Sequence, residues 1–272
     1  MKDKGVCTDN FLHHNQVARY KVIIEYDGSD FQGFQKQAQA RTVQGEIESA
    51  LRRFGWKGTS VLAAGRTDSG VHASGQVIAF DHEWQHSEED LRRALNSHLP
   101  HDIAGRAVSR VSSDFHPRYW AQGRRYQYRL FCEDTRRPLK ERYAWRVWPE
   151  VDIEQIQQAA FHLQGTHDFL AFGSPTKAGG STVRTIRKAT WFDKGSDLVF
   201  EVVGNAFLYH MVRHLVFWQV SIGQGRVKHD TTPRLLEGKE LDLSLGLAPP
   251  CGLTLVEVLY PPDSRIQNSF KE

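Results

Sequence analysis

Sulfur is scarce in this sequence. Three cysteines, Cys7, Cys132 and Cys251, odd in number and far apart in 272 residues, write neither a disulfide framework nor a C-x-x-C metal or redox site. A reducing, cytoplasmic setting is therefore expected. Long apolar runs are missing as well. The opening MKDKGVCTDNFLHHNQVAR holds no continuous apolar core for a signal peptide, and nothing approaches the ~18 apolar residues of a membrane helix. The expectation is a protein neither secreted nor engaged with a membrane. No Pro/Gly/Ser-rich linker divides the chain, so two lobes, if present, share a continuous interface. Several catalytic signatures are absent too. His210 and His214 have i, i+4 spacing, but Met211 stands where a zincin needs its glutamate, so no metal site is expected. Gly179 and Gly180 lack the G-x-x-x-x-G-K-[ST] order of a phosphate loop, and no G-x-S-x-G elbow occurs.

What the chain does have is ordinary globular composition, 40% hydrophobic and 25% charged, with an uneven distribution of charge. The net charge is +3. Residues 117 to 146 alone carry nine Lys or Arg against three acids, leaving the remainder at −3. The same window holds seven aromatics, Tyr119, Trp120, Tyr126, Tyr128, Phe131, Tyr143 and Trp145. Cations neutralise phosphates and aromatic faces stack on unpaired bases, so the mixture suits a folded RNA. The competing reading is a solvated charged strand over an aromatic core.

Periodicity predicts alternating elements. Tyr20, Val22, Ile24 and Tyr26 alternate with Lys21, Ile23 and Glu25 as a half-buried strand ending at Asp27-Gly28. Val43 to Phe54 reads as a helix capped by Thr42, and a second helix starts behind the Ser87/Asp90 capping box. Strands are expected at 60–64, 76–80 and 103–111. Beyond them come a strand at 125–131, a helix at 153–163 capped by Asp152, and a hairpin of 182–192 with 198–203. A helix from Asn205 through Ile222, a short helix behind Pro233 and a last strand at 253–260 complete the chain. Intermixed strands, hairpins and helices argue an α+β fold with a mostly antiparallel sheet.

One stretch, AAGRTDSGVHASGQV (63–77), sets a carboxylate between an arginine and two glycines. Local chemistry makes Thr67-Asp68-Ser69-Gly70 a turn. Its wider context points further. YKVIIEYDGSDFQGFQKQ (20–37), TVQGEIESAL (42–51), FHPRY (115–119), GRRYQYRL (123–130), GTHDFLAF (165–172), RTIRKA (184–189), NAFLYHMVRHLV (205–216) and APPCGLTLVEVLYP (248–261) follow in order. Together these segments resemble the tRNA pseudouridine synthases of the TruA type, and the likeness covers roughly residues 20 to 261. Two departures stand out: Phe34 replaces a common Trp, and Ser69 a frequent Ala.

The resemblance implies that Asp68 is the catalytic carboxylate, acting either by covalent attack or by taking a sugar proton. Arg66 is then a wedge in the space left by a flipped nucleotide, or a phosphate contact. Tyr126 packs on the target base, Arg213 pairs with Asp68, and Leu253 lines the pocket, with Leu255 as the alternative. Phe115, His116, Pro117, Arg118 and Tyr119 form an RNA-contacting run. The implied fold is a mostly antiparallel mixed sheet with helices on its outer face. It is built as two similar lobes, 19–112 and 113–261, flanking a basic cleft, with tails at 1–18 and 262–272. The implied activity is conversion of uridine to pseudouridine at positions 38, 39 and 40 of the tRNA anticodon arm, by a homodimer that uses no cofactor.

Overall fold

A computed structural model describes residues 17–228, 230–237 and 246–262. Most of both expected tails lies outside the described residues, although Val17 and Ala18 already belong to the first strand. Ten strands form one sheet. Its first part consists of β1 (Val17–Tyr26), β2 (Leu62–Ala63), β3 (His72–Glu83) and β4 (Ile103–Val111). Its second consists of β5 (Gly123–Cys132), β6 (Trp145–Val147), β7 (Gly165–Asp168), β8 (Val183–Lys194) and β9 (Asp197–Gly204). Between them lies β10 (Leu253–Leu259), parallel to β3 and antiparallel to β5. Eight strands follow the order β4-β1-β3-β10-β5-β9-β8-β7, and off this path β2 pairs with β3 and β6 with β5. β6 runs parallel to β5, and apart from the two parallel pairs, β3–β10 and β5–β6, the neighbours are antiparallel: β1–β3, β1–β4, β2–β3, β5–β9, β7–β8 and β8–β9.

Helices α1 (Val43–Arg53) and α2 (Glu88–His98) cover the first part, and α3 (Ile153–His162), α4 (Met211–Gly223) and α5 (Thr231–Leu236) the second. Their sequences explain them. In α1, Val43, Ile47, Ala50 and Leu51 recur on one face and are buried, while the Thr42 hydroxyl accepts from the Gly45 amide. In α2, Ser87 and Asp90 satisfy each other's backbone donors reciprocally. The β8–β9 hairpin turns through Gly195, whose φ of +67° suits glycine.

Two hydrophobic cores result, and each draws on distant parts of the chain. Phe115, Leu255 and Val258 belong to the first core, Val71 belongs to the second, and Tyr126 packs against both. The chain therefore contributes to both cores from both ends. Other expectations change in detail. β3 starts at His72 rather than at Gln76, so the end of the quoted loop is already strand. Both faces of β1 are covered: Lys21 is buried, with its ammonium 5.1 Å from the centre of the Tyr260 ring. Asn205 does not cap α4, because its side chain instead accepts from the amides of Thr185 and Ala206, and the helix begins six residues later.

The basic window is also quieter than its charge suggests. Arg125 pairs with Glu201 and Glu257, Arg129 and Lys140 with Asp197, Arg137 with Glu133, and Arg142 with Asp27. Arg136 and Arg146 share Glu141. Arg124 donates to the carbonyls of Ala64, Arg118 and Asn205. Arg118 alone of the nine has a side chain with no hydrogen bond or ion pair among the described residues. Acids distant in sequence thus absorb most of the local excess.

Candidate active site

The Asp68 loop joins β2 to β3 and is fixed from below by the segment after β1. The Phe34 amide donates to the Thr67 carbonyl at 3.1 Å, and both the Ser69 hydroxyl and the Gly70 amide donate to the Phe31 carbonyl. Buried Tyr26 and Thr67 share a hydroxyl–hydroxyl bond of 2.8 Å. The Val71 amide closes the turn on the Asp68 carbonyl, and Gly70 takes φ +76°. The turn predicted from local chemistry is therefore present, and it is the support that aims the carboxylate.

A second tie holds the loop's end. His72 is buried, accepts the Gly28 amide at Nδ1 (3.0 Å) and meets the Cys251 carbonyl at Nε2 (3.2 Å). Beside it, Asp27 receives Arg142 and the Tyr143 hydroxyl. Burial works to raise the Asp27 pKa. Hydrogen bonds from Ser29, Tyr143 and Arg142 outweigh it and hold the carboxyl well below the usual range.

Asp68 itself is half-buried, and the helix α4 supplies its partners. Arg213 Nη1 donates to Asp68 Oδ2 at 3.2 Å, while its Nε donates to the Ala248 carbonyl at 2.7 Å. His210 Nε2 lies 3.4 Å from the same oxygen. On the sheet side, β5 presents half-buried Tyr126, with its ring 5.1 Å from Phe207 in an edge arrangement. The Tyr126 hydroxyl makes no hydrogen bond among the described residues. Burial, reinforced by the charge of Asp68 and opposed by Arg124, pushes its pKa up to about 12. Across the strand pair, Leu255 faces Tyr126 and Leu253 faces Tyr128, so both leucines lie on the tyrosines' side of the sheet.

The structure thus brings together Asp68, Arg213 and Tyr126 from separate stretches of chain, with Leu255 opposite Tyr126 and Leu253 opposite Tyr128 on the neighbouring strand. Arg66 projects exposed from the same loop without a hydrogen bond or ion pair among the described residues. The 115–119 run divides. Arg118 and Tyr119 are exposed, and His116 is half-buried with its ring 4.2 Å from that of Tyr119. Phe115 and Pro117 are buried, Phe115 against Trp120 and Tyr260, so these two side chains offer no surface to a ligand and instead shape the loop. Arg124 links this run to the loop before Asp68, since one guanidinium nitrogen reaches both Ala64 and Arg118.

Chemically, the site offers a single carboxylate flanked by cationic and imidazole nitrogens and an aromatic wall. Asp81 and Glu83 are excluded as a second carboxyl of glycosidase type, because they lie roughly 30 Å along β3 from His72 at ~3.3 Å per residue, and Asp81 is paired with Arg19. Among the described residues no three His, Cys, Asp or Glu side chains gather as metal ligands, and no helix is long and apolar enough to cross a membrane. Sequence reasoning misses His210, Tyr26 and Gly28. His210 reads in the sequence only as half of a metal-ligand pair, and its position in the same short segment as Arg213 is the signal that could have found it.

Comparison with known proteins gives the family. The family profile described as tRNA pseudouridine synthase matches residues 22–120 and 159–261, spanning the Asp68 loop, Arg213 and β10. The tRNA pseudouridine synthase A of Limosilactobacillus fermentum is 41% identical over 255 residues, covering 92% of this chain and 99% of the relative. That of Streptococcus mutans is 41% identical over 90% and 99% of the two chains, and that of Myxococcus xanthus 40% identical over 90% and 92%. With a loop, a buried arginine and an aromatic wall arranged around one carboxylate, and with relatives matched end to end at this identity, the chain belongs to the tRNA pseudouridine synthase family.

Proposed function

We propose that this protein isomerises uridine to pseudouridine in the anticodon arm of tRNA, at positions 38, 39 and 40, with Asp68 as the reacting carboxylate. The reaction breaks the N1–C1′ bond, turns the base, joins C5 to C1′, and removes the C5 proton while N1 takes one up, so the product is an isomer. It needs no electron acceptor and no group donor. One carboxylate, a stacking wall and a pocket that retains the free base suffice. The observation that carries the reading is the placement of Asp68 on a loop fixed at Thr67, Ser69, Gly70 and Val71, with Arg213 on its Oδ2. Whether the carboxylate attacks C1′ or takes a sugar proton, the buried Arg213 guanidinium holds its Oδ2 in place.

The other side chains follow. Tyr126 stacks on the target base, with Leu253 and Leu255 beside it. Arg66, exposed and unpaired, fills the gap left when the nucleotide leaves its stack, offsetting an unstacking cost of a few kcal/mol. Arg118 and Tyr119 contact the RNA backbone, and a homodimer in the cytoplasm binds one tRNA across both protomers. An enzyme serving adjacent positions reads backbone shape more than base edges.

The test is to treat unmodified tRNA with the purified protein and map pseudouridine at single-nucleotide resolution. Conversion at 38, 39 and 40 is expected from the wild type and none from Asp68→Asn, with the mutant's tRNA affinity within a few-fold, since phosphate contacts dominate binding. Turnover by the mutant would remove Asp68 from its role, and modification confined to other positions would refute the anticodon-arm assignment.

A further inference from the structure

His210 is the only non-glycine residue with positive φ among the described residues, at +63°. It occupies the N-cap position of α4, where an extended backbone is usual, and its carbonyl accepts the first helical bond, from the His214 amide. Such conformations persist only where the surroundings over-determine them, and they concentrate at functional sites. Here the surroundings can be named. The Tyr209 amide donates to the Ser174 carbonyl at 3.0 Å, and the Met211 amide donates to the Leu208 carbonyl at 3.2 Å. Gly173 packs so closely that a Cβ there would lie 2.5 Å from the Tyr209 carbonyl oxygen. The imidazole is stacked on the Tyr209 ring, with centroids 3.7 Å apart and planes 27° from parallel.

All of this sets Nε2 at 3.4 Å from Asp68 Oδ2, the oxygen that Arg213 also holds. Oδ1 accepts no hydrogen bond among the described residues. Resting on the proposed role of Asp68, we infer that His210 is a positioning residue: together with Arg213 it commits Oδ2, so that Oδ1 is the atom presented to the nucleoside. At 3.4 Å the contact is long for a hydrogen bond. The two side chains make no hydrogen bond with each other in this structure. Catalytic contacts in a free enzyme commonly tighten when substrate fills the site, and the proposed role has Nε2 donate to Oδ2 when that occurs. The titratable and charged groups facing the imidazole are Asp68, Arg213 and His214. Burial holds its pKa below the ordinary histidine value; Asp68 opposes this, and Arg213 and His214 add to it. The ring is therefore neutral near pH 7, with one N–H to give.

Three variants separate side chain from backbone. His210→Gly removes the imidazole while accommodating the positive φ. His210→Asn tolerates that φ but is too short to reach Oδ2, and His210→Gln restores a donor near the position of Nε2. Steady-state and single-turnover pseudouridine formation, tRNA affinity and Tm are measured for each. The expected result is a kcat about 10- to 100-fold lower for Gly and Asn, the loss of one hydrogen bond to a charged group. KM and tRNA affinity should stay within a few-fold, and Gln should recover part of kcat. A Gly variant with wild-type kcat overturns the role. So do losses in Tm and tRNA affinity that parallel the loss in rate in all three, because they mark a structural part. A wild type that makes no pseudouridine removes the functional reading and this role together, whereas an active wild type with an equally active Gly variant removes this role alone.

Discussion

Replacing Gly28 with alanine tests how tightly the fold aims Asp68. Gly28 follows β1, donates its amide to His72, and lies against the backbone at the end of the Asp68 loop. A Cβ built there would sit 2.0 Å from the Val71 carbonyl oxygen, more than 1 Å inside ordinary contact at 3.4 Å. The φ at Gly28 lies outside the left-handed region, so the strain is spatial alone. Because the obstacle is backbone, no rotamer change relieves it, and the loop carrying Asp68 has to retreat. Overpacking of this kind costs about 1–3 kcal/mol, which lowers Tm by roughly 2–12 °C in a chain of this size. A displacement of about 1 Å at the reacting group costs on the order of 100-fold in rate. Thermal unfolding and single-turnover pseudouridine formation on saturating tRNA read the two effects. Gly65→Ala is the control: its Cβ meets nothing within 4 Å, and its stability should stay within ~0.5 kcal/mol of wild type. A Gly28→Ala protein with wild-type Tm and wild-type rate would refute the claim that this approach fixes the loop.

Three further outcomes are expected. Tyr126→Phe should fold and bind like wild type, because the hydroxyl has no hydrogen bond among the described residues to lose, whereas Tyr126→Ala should lose about 1–3 kcal/mol of substrate binding measured by equilibrium titration; a Phe variant that binds but is inactive would give the hydroxyl a chemical part. Arg118→Ala should lower the slope of log K against log salt by about one and weaken different tRNAs equally, and an unchanged slope would place Arg118 outside the RNA footprint. Burial lowers the Lys21 pKa to about 8, so between pH 8 and the unfolded value of ~10.4 the unfolded chain holds a proton that the folded chain has released. The stability difference between wild type and Lys21→Met should therefore shift in favour of wild type across that interval, as followed by denaturant titration, and a pH-independent difference would contradict the burial of a charged amine.

Where structure depends on neighbours in the chain, the amino-acid sequence makes it legible. The Ser87/Asp90 box, the Thr42 cap and the Lys194–Asp197 turn are of this kind, and each holds in the fold. The start of α4 is misplaced by the same logic, because Asn205 is a good cap in isolation and its competing bonds to Thr185 and Ala206 depend in part on β8. The basic window misleads for a similar reason. Its charge is local, but Asp197, Glu201, Glu257 and Asp27, which neutralise it, come from distant strands and turns. The pairing of Asp68 with Arg213, 145 positions away, is reached through resemblance, since no spacing rule joins them. The conformation of His210 has no signature in sequence at all.

The position of β10 bears on when this enzyme can come into being. It follows every other described strand in chain order, yet it lies in the middle of the sheet, between β3 and β5. The strand that follows the Asp68 loop and the strand bearing Tyr126 are therefore joined only after Leu253–Leu259 has emerged from the ribosome. The Ala248 carbonyl that anchors Arg213 arrives almost as late. Until then, β3 and β5 expose unpaired edges along their site ends, the kind of surface that recruits other chains. A nascent chain thus carries both halves of the proposed active site for much of its synthesis without being able to assemble them, and a strand translated after both is the one that brings them together.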